Sequence, residues 1–120
     1  GIDCAALVDV KRVLAASTVS VLYDCLYDFA AAAFAANNPI LMLFVSDKVE
    51  AGEGPGTGKQ RVVEMRAALE AEESAQTEGY TRSLEELRRV LERRDVSFSL
   101  DVAPTGATLA VRVNEGEGVA

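Results

Sequence analysis

The chain has 120 residues and a formal net charge of −7, and hydrophobic residues make up 49% of it. This length and apolar content are typical of one folded domain with its own core, and they argue against a disordered chain. The negative charge argues against nucleic acid and anionic membranes as partners, since each phosphate contact needs a cation. Histidine is absent, which excludes Ser-His and Cys-His nucleophile pairs and His-based zinc sites within the chain.

The first predicted element is a helix over residues 4–16. Asp3 can cap its N-terminus, and three apolar residues recur at the spacing of one helical face, Leu7, Val10 and Leu14. The pattern therefore predicts an amphipathic helix at the start of the domain.

The segment that follows fits two structures. Val19 and Val21 alternate with polar residues as in a strand, whereas Leu22 and later apolar residues recur at helical spacing and lead into a run of alanines. We favour a short extended piece over residues 18–21 and then a helix over 22–36. One long helix that begins at residue 20 is the alternative.

The clearest predicted strand covers residues 40–45, which are apolar without alternation. An unbroken apolar strand is typical of one that is covered on both faces, so we expect it at the centre of a sheet with helices packed on it. A flexible glycine-rich loop is predicted next, over residues 47–59.

Two helices are predicted after this loop. The first covers residues 60–74 and is inferred from apolar residues at helical spacing, Val62, Met65 and Leu69. The second covers residues 83–94, where Ser83 and Glu86 fit a capping box. Its buried stripe is formed by leucines, Leu84, Leu87 and Leu91.

The C-terminal part predicts a β-hairpin. Apolar residues alternate with polar ones over 96–102 and again over 109–113, on either side of a Pro-Thr-Gly turn. The tail over 114–120 is glycine-rich and acidic, and we expect it to fray. The expected fold is a single α/β domain over residues 1–120, with α+β as the alternative. It has a mixed three- or four-stranded sheet with a central buried strand, a C-terminal hairpin and helices packed on the sheet.

The sequence Gly-Pro-Gly-Thr-Gly-Lys over residues 54–59 resembles the phosphate-binding loop of AAA-type ATPases. In such loops, backbone amides and a lysine hold phosphate oxygens at the N-terminus of the following helix. The resemblance covers these six residues, and Glu53 and Gln60 stand where the family motif has a glycine and a Mg²⁺-binding hydroxyl. It implies four phosphate-binding residues, Gly56, Thr57, Gly58 and Lys59.

Other residues are candidates for contact with a protein. Arginines near or within the predicted helix over 83–94 could meet an acidic partner or a phosphate, Arg82, Arg88, Arg89 and Arg93. Val111 and Val113 are candidates if their strand forms an exposed edge. Tyr23 and Tyr27 lie one helical turn apart and fit either a contact surface or the core.

Carboxylates offer the remaining chemistry. Asp47 follows the predicted central strand, at a position where α/β sheets often bind ligands, and Asp101 lies in the hairpin. Asp24 and Asp28 are one helical turn apart and could share a metal or a proton, although a solvated helix face has the same pattern. A small carboxylate enzyme that uses Asp47 and Asp101 is a third hypothesis. It ranks last, because nothing in the sequence places the two carboxylates together.

The leading hypothesis is a non-catalytic interaction or assembly domain of a larger protein or complex, because no pattern joins a nucleophile to a base or forms a metal site. The alternative is a nucleotide- or phosphate-binding domain that uses the glycine-rich loop. We expect a protein partner or homo-oligomer, and no catalytic residue, metal, cofactor or small-molecule ligand. Cys4 and Cys25 form no disulfide framework, which favours a reducing, intracellular and cytoplasmic location.

Overall fold

Residues 3–33, 39–51, 58–71 and 78–117 are described by a computed structural model of the chain. Five strands and two helices follow one another along these residues. In chain order they are β1 (Asp3–Asp9), α1 (Ala16–Ala33), β2 (Ile40–Ala51), β3 (Lys59–Glu70), α2 (Glu78–Arg93), β4 (Ser97–Ala103) and β5 (Gly106–Glu117).

The strands form one sheet in the order β1-β2-β3-β5-β4. β1 runs parallel to β2, and α1 is the connection between them, as a parallel pair requires. The other neighbouring pairs are antiparallel. β3 is therefore the middle strand, and β1 and β4 are the two edges.

The fold class is confirmed: the protein is α+β, with a mixed sheet, packed helices and a C-terminal hairpin of β4 and β5. The sheet has five strands rather than three or four, because two segments that were predicted as helices are strands. Asp3–Asp9 is β1, which covers the first part of the helix predicted over 4–16 and its predicted cap, and Lys59–Glu70 is β3, where a helix was predicted over 60–74. Pairing with neighbouring strands overrides the helical preference of these segments.

Both helices differ from their predicted bounds. α1 is continuous from Ala16 to Ala33, so the extended piece predicted over 18–21 is wrong and the long-helix alternative is nearer to the structure. α2 begins at Glu78, which places Ser83 inside the helix rather than at a capping position. The predicted leucine stripe of α2 is confirmed as buried, Leu84, Leu87 and Leu91.

The core lies on one side of the sheet. α1 packs on β3 and β5, and α2 packs on α1 and β4. Every second residue of the middle strands faces these helices, and Val63, Met65 and Leu109 are almost completely buried there. The two helices therefore cover a single face of the sheet.

The strand predicted over 40–45 is present as the first half of β2, but it is not covered on both faces. Leu41 is buried on the helix side, whereas Ile40 and Phe44 are 44% and 45% exposed on the opposite side. β2 also lies next to the edge strand rather than at the centre, a position that β3 takes.

Parts of the predicted loop and of the predicted tail belong to strands in the structure. Residues 47–51 belong to β2, and β3 begins at Lys59, so the loop over 47–59 loses both ends. Residues 52–57 lie outside the described part of the chain. In the tail predicted over 114–120, residues 114–117 belong to β5, and residues 118–120 are not described. No helix in the described residues is long and apolar enough to cross a membrane.

Candidate protein-interaction surface

The side of the sheet opposite the helices, here called the open face, carries apolar side chains at its β1–β2 end. The strand register places Leu7 beside Phe44, and Ala5 beside Met42. Leu7 is 61% exposed, and Met42 is half-buried. We call this group of residues the apolar patch: Leu7, Ile40, Met42 and Phe44.

The edge strand β1 also exposes an apolar side chain on the face opposite the apolar patch. In β1, Leu7 and the following Val8 point to opposite faces of the strand, and Val8 is 62% exposed. At the other edge, α2 supplies donors to carbonyls of β4. Arg88 Nη2 donates to Leu100 O at 2.6 Å, and Tyr80 Oη donates to Ala103 O at 3.4 Å. The β4 edge is therefore shielded by a helix, whereas Leu7 and Val8 of β1 are exposed on the two opposite faces of their strand.

A second part of the open face carries ion pairs, one between two strands and two within a single strand. Arg112 joins β5 to Glu50 of β2, and Lys48 lies 3.5 Å from the same carboxylate. Arg66 Nε donates to Glu64 Oε1 at 2.7 Å, and this bond lowers the pKa of Glu64 below its ordinary value. Opposite charges meet within this region, so its carboxylates are already neutralised.

A shallow depression of about 310 Å³ lies at the far end of the open face, toward the β4–β5 turn. Its floor has small side chains, including Ala68 of β3 and Gly106 of β5. Two exposed carboxylates, those of Glu70 and Asp101, belong to its wall. The register joins the depression to the apolar patch, since Glu70 is the β3 partner of Ile40.

Some of the predicted interaction residues are exposed, whereas others are buried or bound within the fold. Arg82, Arg89 and Arg93 are exposed on α2, as an interaction role requires, whereas the guanidinium of Arg88 is bound to β4. Val111 and Val113 do not lie on an exposed edge, because β5 runs between β3 and β4. Val111 is fully buried beneath the helices, and Val113 packs against the same core.

Of the predicted phosphate-binding residues, Gly56 and Thr57 lie outside the described part of the chain. Gly58 and Lys59 are exposed, and Lys59 is the first residue of β3. The helix N-terminus that the phosphate-loop hypothesis places after Lys59 is therefore replaced by a strand. A strand start does not offer the converging amides and dipole of a helix N-terminus.

The predicted carboxylates are not brought together. Asp47 lies within β2 on the helix side, and its Oδ2 accepts a hydrogen bond from Arg61 Nη2 at 2.8 Å. Asp101 is exposed on the open face. No group of three or more metal-ligating side chains was found among the described residues.

Arg61 joins three parts of the helix side. Besides Asp47, it lies 3.6 Å from Glu115 and within 3.4 Å of the carbonyl oxygen of Val13. Glu115 in turn accepts a hydrogen bond from the backbone amide of Ala15, at the start of α1. The bond from Arg61 to Asp47 raises the pKa of the guanidinium above its ordinary value. These contacts fix the β1–α1 connection, which indicates a structural role for Asp47.

The remaining predicted candidates lie on or near α1. Asp28 pairs with Arg94 at 2.5 Å, which joins α1 to the residue that follows α2. Cys25 is a buried free thiol, and burial raises its pKa above the ordinary value. Tyr23 and Tyr27 are both exposed, with stacked rings 6.4 Å apart, so they occupy the surface rather than the core.

The residues of the apolar patch are not among the contact candidates predicted from the sequence. The signal for them was present: an apolar run over 40–45 without alternation puts large side chains on both faces of a strand. The same pattern also fits a strand with one buried face and one solvent-exposed apolar face, which is the arrangement of β2 in the structure.

Comparisons with known proteins identify no family. No family model and no curated protein matches the chain. Among solved structures, the blue-light activated histidine kinase of Erythrobacter litoralis EL346 is similar, with a TM-score of 0.47 and 10% sequence identity. The match covers 92% of this chain and 35% of the kinase chain.

Proposed function

We propose that this chain is a non-catalytic protein-interaction domain that docks a protein partner on the open face of its sheet. The observation that supports the proposal is the apolar patch, where Leu7, Ile40 and Phe44 are each more than two-fifths exposed. Contiguous exposed apolar surface marks interaction sites in soluble domains more often than it occurs by chance. Burying a large apolar side chain completely is worth about 1.5–3 kcal/mol, so three half-exposed ones can supply a useful part of a docking energy.

The position of the patch also suits docking. Three of its four residues lie on β2, which is paired with a strand on both sides, rather than on a loop, so little conformational entropy is lost there on binding. It is bordered by polar and charged residues, as the rim of an interaction site is. The buried free thiol of Cys25 is compatible with a reducing, intracellular location, which is part of this proposal.

The proposal can be tested without knowing the natural partner. Random 12-residue peptides displayed on phage are selected on the immobilised chain, and the affinity of the enriched peptides is measured by fluorescence anisotropy. The variant I40S/F44S is expected to weaken binding at least tenfold, or about 1.4 kcal/mol. The matched control V13S/V19S removes two exposed valines away from the open face and is expected to leave affinity unchanged.

Circular dichroism of both variants establishes that they are folded before affinities are compared. Peptides that bind I40S/F44S as tightly as the unchanged chain would overturn the proposal. A thermal shift with Mg-ATP addresses the phosphate-binding alternative in the same preparation. A ligand at 100 times its Kd adds about 2.7 kcal/mol of stability, so a large upward shift that disappears in K59A would favour that alternative.

A further inference from the structure

We infer that the partner of the open face is a basic amphipathic segment, with apolar side chains on the apolar patch and a lysine or arginine in the depression between Glu70 and Asp101. This inference rests on the proposed function and adds the chemistry of the partner. It is argued from the charge left unpaired at one end of the face.

The carboxylates of the open face fall into two groups. Glu50 and Glu64 form ion pairs with Arg112 and Arg66. Glu70 and Asp101, by contrast, form no ion pair with any residue that the structure describes, and both are exposed. An unpaired carboxylate beside an apolar surface favours a partner that brings its own cation.

The depression has the shape to take a long cationic side chain. Its floor contains Ala68, Ala103 and Gly106, which leave room above the sheet. A lysine or arginine can lay its apolar stem along such a floor and keep its charged end at the carboxylates. Arginine also offers several N–H donors in a fixed planar arrangement, which suits a bidentate contact with a carboxylate.

The spacing between the two subsites defines the partner further. Met42 on β2 and Asp101 on β4 are three strand positions apart in the sheet. Neighbouring strands are about 4.8 Å apart, so this separation is about 14 Å. About four residues of an extended peptide, or about nine residues of a helix, cover that distance. Glu70 and Ala68 of the depression lie directly beside Ile40 and Met42, so the partner segment carries its cation within these separations of its apolar anchor.

The same charges argue against a second copy of this chain as the occupant. Each copy has a net charge of −7, and two such molecules repel at long range. Self-docking through the open face would also bring the carboxylates of Glu70 and Asp101 to an interface without supplying a cation for them. A basic partner is attracted by the same field that repels a second copy.

The test uses the phage-selected peptides described above. Peptides whose binding depends on the apolar patch are expected to combine large apolar residues with lysine or arginine at the predicted separation. The variant E70Q/D101N is expected to weaken these peptides at least fivefold. The control E85Q/E86Q removes the same charge from exposed positions of α2 and is expected to change affinity less than twofold.

The outcomes separate this inference from the proposed function. If patch-dependent peptides lack basic residues, or E70Q/D101N leaves their affinity unchanged, the inference is wrong and the proposed function stands. Equal weakening by E70Q/D101N and E85Q/E86Q means a general charge effect and also overturns the inference. A dimer in sedimentation velocity that I40S/F44S dissociates would identify a second copy as the occupant and overturn it as well. If no selected peptide depends on the patch, both proposals fail.

Discussion

Gly106, the first residue of β5, lies unusually close to the middle strand. A Cβ atom at this position would lie 2.3 Å from the carbonyl oxygen of Leu69 and 3.4 Å from its carbonyl carbon. Neither is the far end of a flexible side chain, so the contact is relieved only by moving β5 away from β3. The absence of a side chain at Gly106 thus allows the hairpin and the middle strand to pair at this end of the sheet.

We predict that G106A destabilises the protein by about 1–3 kcal/mol, the usual cost of forcing extra volume into a packed site. The free energy of unfolding from urea titration measures this. The control G58A adds the same methyl group at a position where no other described part of the chain comes within 4 Å of it, and it is expected to change stability by less than about 0.5 kcal/mol. Equal effects of the two variants would show that the close approach at Gly106 is not present in solution.

Glu64 makes a pH-dependent contribution to stability. The hydrogen bond from Arg66 is the main cause of its lowered pKa, with partial burial opposing it and the charges of Arg66, Lys48 and Arg112 adding to it. Because the folded-state pKa lies below the ordinary value of 4.5, the carboxylate stabilises the folded state fully above that value. The contribution is lost as the pH falls through the folded-state pKa.

We therefore predict that E64Q is less stable than the unchanged chain at pH 7, by less than about 1 kcal/mol, since the Arg66 side chain of the pair is 61% exposed to solvent. The difference is expected to shrink as the pH is lowered below 4.5 and to vanish once Glu64 is protonated. Urea unfolding of both proteins at a series of pH values from 7 to 3 measures it. A difference that grows toward acid would contradict the assigned direction of the pKa shift.

At the scale of the elements, α1 has a buried face and an exposed face of different character. Phe29 is fully buried against the sheet, whereas Tyr23 is 64% exposed and stacks on Tyr27. The buried face of α1 therefore contributes to folding stability, whereas its exposed face contacts solvent. The aromatic rings on the outer face add little to the core.

We predict that F29A destabilises the protein by about 3–5 kcal/mol, because it removes buried surface and leaves a cavity. Y23A on the same helix is expected to change stability by less than about 0.5 kcal/mol. Thermal or urea unfolding of the two variants gives the comparison. A loss of more than 2 kcal/mol on substitution of Tyr23 would mean that its ring is buried in solution.

β3 shows why the strand content was underestimated from the sequence. Its apolar residues fit two periods at once: Val62, Met65 and Leu69 have helical spacing, while Val63, Met65 and Leu69 also fit the two-residue repeat of a strand. Its alanines, arginines and glutamates are good helix formers, which favoured the helix. Pairing on both sides, with β2 and with β5, decides the structure. That pairing joins segments that are distant in the sequence, so the residues of β3 alone do not predict it.

The elements with a single strong pattern were predictable. The hairpin of β4 and β5 has clear alternation around a turn, and α2 has its leucine stripe, so the type and place of these elements were predictable, although α2 and β5 are longer than predicted. The candidate site was harder to predict from the sequence. Its residues belong to β1 and β2, and their exposure depends on where α1 and α2 lie on the sheet. The side of the sheet that the helices leave open is a property of the whole fold.

At the scale of the whole molecule, the sheet is stabilised unevenly. β3 and β5 each have a strand on both sides and helices above them, whereas β1 has a single neighbour. The large side chains of β1 at Leu7 and Val8 are exposed. Local opening is easiest where few apolar contacts are broken, so β1 is expected to separate from β2 without unfolding the rest.

Native-state hydrogen exchange tests this order. Amides of β3 and β5 that bond to neighbouring strands, such as those near Met65 and Leu109, are expected to exchange through global unfolding. Amides of β1 bonded to β2 are expected to open with a free energy at least about 2 kcal/mol lower. Equal opening free energies for β1 and β3 would contradict this, and would mean that β1 is part of the same cooperative unit.

A peptide that binds the apolar patch is also expected to slow hydrogen exchange in β1, because Leu7 belongs to both β1 and the patch. The variant V13S/V19S is expected to preserve this slowing, whereas I40S/F44S is expected to remove it.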